Sequence, residues 1–293
     1  MDGAGLALLL STLRLATPLV LASLGELVAE RAGVLNIGIE GMMLAGAFAA
    51  FAVAGATGSA GSGLLVAAMA GTAFAAVFAF FVIVRGADPI VCGTSLNILA
   101  LGATGSAYRL LFPPEVELPS APQLGELLPG LNGFVLLALA LLGGVAVFLA
   151  RTRPGLSLRA AGERAAAAHA QGVPVLRVRW LATLFGGACA GLAGASLVLW
   201  IADTFVEGMT SGRGFIALAL VLFGGYRPLR IVGGAVLFGF ASALQFRLQA
   251  AGVAIPYNLL LMVPYVLTLL VLALFATRGV APGDLARPFR ARQ

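Results

Sequence analysis

Asn36 and Glu40 stand four residues apart in the stretch Glu30-Arg31-Ala32-Gly33-Val34-Leu35-Asn36-Ile37-Gly38-Ile39-Glu40-Gly41-Met42-Met43-Leu44, which lies between two strongly apolar runs. On a helix that spacing puts an amide and a carboxylate on one face. A carboxylate beside an apolar span is costly to desolvate, which makes Glu40 a candidate for handling a solute. Gly33, Gly38 and Gly41 predict a break in the helix here. Non-helical chain at membrane depth is tolerated only where protein buries it or an aqueous path runs beside it. A plainer reading fits the same residues: a cytoplasmic turn in which Glu30, Arg31 and Glu40 pair and cap helix ends. Thr94-Ser95-Leu96-Asn97 is a second polar cluster inside an apolar run. Asn97 suits either a path for a neutral, hydrogen-bonding solute or a bond between two helices. A third candidate, Gly208-Met209-Thr210-Ser211-Gly212-Arg213-Gly214-Phe215, is a further glycine-rich break or an ordinary loop.

Other chemistry is excluded by composition. All 18 basic residues are arginine. Without lysine there is no Walker-type phosphate loop and no Schiff-base catalysis. The lone histidine, His169, has no carboxylate or nucleophile placed nearby in sequence to orient it. Cys92 and Cys189 lack ligand spacing, so no metal site or disulfide framework is expected, and both read as small packing residues. No catalytic residue is expected on this chain.

The elements that must position these residues are membrane spans. The chain of 293 residues is 60% hydrophobic and only 10% charged, too few charges to cover a soluble surface. The predicted fold is all-α, a polytopic transmembrane helical bundle with nine spans near 6–28, 35–55, 61–84, 89–111, 131–150, 178–201, 212–226, 229–248 and 257–276. The seventh is short and reads as broken or tilted. The net charge of +6 is read as orientation, with membrane lipid rather than nucleic acid as the contact.

With the Arg151–Arg177 connection inside, alternation leaves fourteen arginines on the inner side and only Arg14, Arg109, Arg213 and Arg247 outside. The N-terminus is then out and the C-terminus in. Arg14 lies within the first apolar run. Either its side chain snorkels, or residues 1–13 lie along the outer interface, the preferred reading. No basic leader or cleavage site marks a signal peptide. Leu15-Ala16-Thr17 preceding Glu40-Gly41-Met42 is echoed by Leu181-Ala182-Thr183 preceding Glu207-Gly208-Met209. The echo fits an inverted repeat of spans 1–4 against spans 6–9.

The whole chain, 1–293, is expected to form a single transmembrane domain that includes the cytoplasmic segment 151–177. Within it, Gly162 to Pro174 predicts a short helix. Glu163 lies near its positive start, alanines fill the middle, Gly172 stands at the C′ position and Pro174 follows. Such a helix is marginal alone and is expected to dock on a partner or on the membrane face.

The opening motif, Arg159-Ala160-Ala161-Gly162-Glu163 with Gly172-Val173, and Gly212-Arg213-Gly214-Phe215-Ile216-Ala217-Leu218-Ala219-Leu220 resemble permease subunits of bacterial ABC importers. The likeness is to the ribose and branched-chain amino-acid group, and within it to the short permease of nucleoside importers; it runs over residues 15–276. The resemblance implies an inner-membrane subunit that pairs with a second related permease, a cytoplasmic ATP-binding subunit carrying ATP and Mg, and an extracytoplasmic substrate-binding lipoprotein. It implies that Gly162, Glu163, Arg164, Ala166, Ala167 and Gly172 belong to a coupling helix, and that Asn36, Glu40, Thr94, Ser95 and Asn97 border the substrate pathway. The additional leading helix of ribose-branch relatives is expected to be missing. Nucleosides, ribose and other simple sugars all fit the pattern. A self-sufficient ion-coupled transporter is the contrasting reading, against which stands the scarcity of intramembrane carboxylates.

Overall fold

The computed structural model describes residues 3–113, 120–128, 131–251, 259, 262–263, 265–266 and 281–289. Among them, seven helices are long and apolar enough to cross a membrane. The predicted span at 257–276 lies largely outside the described residues. Helix α1 runs from Gly3 to Arg31, α2 from Ile39 to Thr57, and α3 from Ala60 to Ala79, continuing as a wider π-type turn to Val84. Helix α4 spans Pro89–Leu111, matching the predicted fourth span at both ends. Its start is written locally: Asp88 accepts hydrogen bonds from the Ile90 and Val91 amides at 2.8 and 3.0 Å, and Pro89 has no amide proton to leave unpaired.

A two-stranded antiparallel ribbon, β1 (Glu126–Leu128) with β2 (Leu131–Asn132), leads into α5 (Gly133–Arg151). Helices α6 (Arg153–Glu163) and α7 (Ala165–Ala170) form the polar connection. The central helix α8, Val175–Ser196, extends in π geometry to Ala202. The short α9, Arg213–Phe223, and α10, Pro228–Ala250, complete the described helices.

One expectation needs correction. The predicted single helix from Gly162 is two elements: Glu163 ends α6 instead of opening the next helix. Thr152 caps the Gly155 amide at the start of α6, and at its end distant chain takes groups that a continuing helix would pair internally: the Asp284 amide holds the Gly162 carbonyl at 2.9 Å, and the Asp284 carboxylate holds the Ala165 amide at 2.7 Å. Arg164 then leaves helical geometry at φ −147° before α7 begins. Gly172 does stand where expected, at φ +84°, with its amide on the His169 carbonyl and the Val173 amide on Ala168, the paired bonds of a Schellman ending. Residues 3–13 are helical and continuous with the rest of α1. Arg14 turns to the end of α8, donating to the carbonyls of Trp200 and Ile201.

Close packing follows from small residues at helical spacing. Ala67, Gly71 and Ala75 on α3 face Gly187 and Gly191 on α8; a Cβ at Gly71 would strike the Gly187 carbonyl. On its other faces α8 meets Gly25 through Cys189, and Met43 and Ala47 through Gly194. Between apolar helices in lipid, close backbone approach of this kind supplies the dispersion that holds a bundle together. Toward the far ends of α2 and α4 the aromatic rings pack on one another: Phe48 edge-on to Phe205 at 5.3 Å, Phe51 against Phe112 at 5.1 Å, and Trp200 stacked on Phe134 at 6.3 Å. Phe205 is buried within this cluster.

Gly71→Leu is expected to destabilise the bundle by about 1–3 kcal/mol through overpacking. Gly143→Leu, where added atoms meet open space within 4 Å, should leave it unchanged. Thermal unfolding of the two variants in detergent checks this.

Candidate functional site

The predicted break is present. Helix α1 stops at Arg31 and α2 starts at Ile39, leaving residues 32–38 non-helical. Gly33, at φ +92°, turns the chain away from α1. A break among apolar helices exposes amides that water cannot reach, so each must find a partner inside the protein.

Four side chains supply those partners. Asn36 is fully buried; its Oδ1 accepts the Gly38 amide at 3.1 Å, its Nδ2 lies 3.3 Å from the Met42 sulfur, and its own amide donates to Glu26 Oε1 at 2.9 Å. Asn97 reaches over from α4, accepting the Gly41 amide at 2.8 Å and donating to the Ile37 carbonyl at 3.0 Å. Gly93 lets that backbone come close, since a Cβ there would lie 2.7 Å from the Gly38 nitrogen. Glu40 faces the other way: its two oxygens accept the Gly212 amide at 2.7 Å and the Gly214 amide at 2.6 Å.

That last contact joins two breaks that are 172 and 174 residues apart in sequence. Gly212 and Gly214 bracket the start of α9, so the carboxylate on the first turn of α2 caps the N-terminus of this short helix, where the positive end of the helix dipole favours it. Positive φ at Gly208, Ser211 and Gly212 folds the chain down to this point from Glu207, which pairs with Arg109 at 2.9 Å. The nearby guanidinium holds the Glu207 carboxyl below its usual range. Glu207 lies beside Gly105, and Gly41 beside Asn97. Those contacts are about 12 Å apart along α4 at the helical rise. The starts of α2 and α9 therefore meet alongside the span of α4, not beyond its end.

Of the residues expected at the pathway, Asn36, Glu40 and Asn97 are brought together around the break, each committed to backbone. Thr94 and Ser95 are exposed on α4, and the Thr94 hydroxyl turns back to the Ile90 carbonyl. In the inner segment, Ala166, Ala167, Gly172, Glu163 and Arg164 are exposed. Gly162 is buried, packed so closely against α1 that a Cβ would strike the Arg31 carbonyl. Glu26 and Arg179 were missed by sequence reasoning. Glu26 carried a usable signal, a carboxylate inside an apolar run one turn before Glu30. Arg179 carried none, reading as one more inner-side arginine.

Residues 8–272 match the family described as branched-chain amino acid transport system / permease component. A protein of Haloferax volcanii, provisionally named glucose ABC transporter permease protein TsgC13, is 42% identical over 86% of this chain and 80% of its own. The guanosine ABC transporter permease protein NupQ of Bacillus subtilis is 35% identical over 95% of both chains. The nucleoside ABC transporter permease protein NupC of Lactococcus lactis is 34% identical over 91% of both. No solved structure matches.

Asn97→Leu removes both bonds to the broken chain and strands the Gly41 amide. It is expected to cost about 1–3 kcal/mol of stability while leaving membrane insertion intact. Asn36→Leu, which strands the Gly38 amide, should behave alike. Chemical unfolding, together with membrane-fraction yield, checks both.

Proposed function

This chain belongs to the branched-chain amino acid transport system permease family and is an ABC transporter permease subunit; we propose that it forms the import pathway for nucleosides together with a second, related permease. The observation that carries the solute is the likeness along 95% of both chains to a permease named for guanosine, beside a second relative named for nucleosides. A sugar is the second reading, favoured by the 42% identity to the relative provisionally named for glucose.

Family membership supports a multi-pass protein of the cytoplasmic membrane whose ATP hydrolysis resides on a separate subunit, with ATP and Mg held there. An extracytoplasmic binding lipoprotein delivers the solute. The N-terminus lies outside and the C-terminus inside, supported by arginines at each connection this places within, Arg31, Arg85, those of 151–177 and Arg227, and by their absence from the connections between α2 and α3, α4 and α5, and α8 and α9. Nine crossings follow if residues 257–276 span once and α9 counts as one.

An inverted repeat of spans 1–4 against 6–9 is supported by matched packing. Gly239 of α10 lies against Thr12 and Ala16 of α1, as Gly71 of α3 lies against Gly187 and Gly191 of α8. In this reading α2 and the shorter α9 are equivalent helices, and Glu40 is the bond at which the two repeats meet. The open face of α4, with Thr94, Ser95, Ile98 and Leu99 exposed, turns toward the second permease and the solute between them. Asn36, Asn97 and Glu40 hold the shape of that wall. ATP binding moves α7 through its exposed alanines, and the paired permeases rock between outward and inward access.

In proteoliposomes holding the chain with its partner subunits and receptor, ATP-dependent guanosine uptake is expected, with glucose and ribose uptake far lower. Ala166→Arg and Ala167→Arg, placing a long charged side chain on the docking face of α7, should reduce uptake by about tenfold or more, equivalent to 1.4 kcal/mol. Uptake of glucose alone would select the sugar reading, and full uptake by both variants would remove α7 from the coupling role.

A further inference from the structure

A single buried guanidinium joins three segments at the inner end of the molecule. Arg179, on the second turn of α8, is 3% exposed. Its Nε donates to the Ala32 carbonyl at 3.1 Å, where α1 has just ended. One terminal nitrogen donates to the Arg287 carbonyl at 2.7 Å; the other lies 3.4 Å from the carbonyls of Ala161 on α6 and Asp284. Every one of these acceptors is main chain. A planar, fixed fork of donors can span acceptors in this way, and an ammonium cannot.

Residues 281–289 lie across the same place as a strap. The Asp284 amide donates to the Gly162 carbonyl at 2.9 Å, and its carboxylate accepts the Ala165 amide at 2.7 Å, so it holds the corner between α6 and α7 from both sides. The Gly283 amide donates to Glu163 at 2.8 Å. Two residues on, the Ala286 amide donates to the Gly33 carbonyl at 3.1 Å, on the turn that begins the broken stretch. Ala286 makes this bond from a left-handed backbone at φ +60°. That conformation costs an L-residue about 1–2 kcal/mol and persists only where its surroundings impose it. Phe289 closes the strap, its ring 5.5 Å from His169 on α7.

Without these links, α7 would have little hold on the break. Among the described residues, its buried side chains Ala165 and Ala168 share a small apolar cluster with Val173, Val175, Val178 and Phe289. Helix α6 approaches the turn at Gly162, whose backbone lies against Arg31 and Gly33 with no side chain between them.

We propose that Arg179 and the strap 281–289 are positioning elements that fix the α6–α7 corner to the Ala32–Gly33 turn, so that displacement of α7 is delivered to the broken segment 32–38 as rigid motion. This rests on the permease reading above and adds to it the part that carries the stroke. Loosening the strap therefore uncouples the transporter without dismantling it: the partner still docks on α7 and still hydrolyses ATP, but the motion is absorbed at the α6–α7 corner.

The experiment uses the complete complex in proteoliposomes, with Asp284→Ala on the strap and Arg179→Lys at the hub. Assembly, ATP hydrolysis and guanosine uptake are measured together. Both variants are expected to assemble and hydrolyse ATP, with guanosine moved per ATP lowered by about fivefold or more. A merely structural role would lower hydrolysis and uptake in proportion. A constant ratio, or wild-type uptake in both, overturns the proposal, and if Arg179→Lys fails to assemble, Asp284→Ala decides.

A second readout does not depend on the solute. Spin labels on Ala166→Cys and Leu35→Cys, with Cys92 and Cys189 replaced, should give one narrow separation that is the same with and without nucleotide. In Asp284→Ala the separation should broaden or become nucleotide-dependent. A nucleotide-dependent separation with the strap intact, or a narrow constant one in Asp284→Ala, overturns the linkage. Absence of ATP-dependent guanosine uptake in the unaltered complex instead contradicts the solute assignment, and the linkage is then judged by the labels.

Discussion

The amide of a broken helix must be paired inside the protein when no water can reach it, and the architecture of this permease follows from how that demand is met. Two helices start part-way along the bundle, α2 at Ile39 and α9 at Arg213. Neither has a cap from the residue before it, since Gly38 and Gly212 have no side chain to offer. The missing acceptors come from elsewhere: Asn36 and Asn97 for α2, and Glu40 for α9. The glycines on the facing helices follow from the same demand. Gly93 and Gly214 admit backbone at distances a Cβ would forbid. A carboxylate in such a place is usually a cost. Here two charge-assisted bonds and the end of a helix dipole offset its desolvation.

Much of this was legible in the sequence because lipid imposes simple rules. Apolar runs of the right length gave the long helices, and α4 could be placed to the residue because Asp88 and Pro89 write its start. The three glycines of the opening motif announced a break. What they could not announce was its partner: Gly212 and Gly214 lie more than 170 residues away, and no local pattern links them to Glu40. Asn97 illustrates a different gap. An amide inside an apolar span is consistent with a pathway or with glue, and only its two bonds to Ile37 and Gly41 show which backbone it serves. The helix misjudged at Gly162 failed for want of context. Glu163 suits the start of a helix, but Asp284, more than a hundred residues away, takes the Gly162 carbonyl and the Ala165 amide and sets the corner there.

The corner between α6 and α7 extends the same logic. There the orphan groups are the carbonyls at the ends of α1 and α6, and one arginine satisfies both together with the chain at 284–287. A polar cluster therefore stands at each end of segment 32–38. The upper cluster ties the segment to α4 and α9, the lower to α6 and α8. A segment held at both ends by main-chain hydrogen bonds moves with the helices that hold it, as a rigid rocking of packed elements requires. Relatives named for guanosine, for nucleosides and, provisionally, for glucose match 95%, 91% and 86% of this chain.

The bond between the starts of α2 and α9 is accessible to hydrogen–deuterium exchange. In the purified permease, the amides of Gly212 and Gly214 should exchange slowly, as core helices do, and Glu40→Gln should speed their exchange, and that of residues 36–41, by about an order of magnitude or more, the 1.4 kcal/mol equivalent of weakening a charge-assisted pair. Peptides from α3 and α8 should be unaffected. Exchange at 212–214 that is already fast with Glu40 in place, or that does not respond to its replacement, would contradict the account.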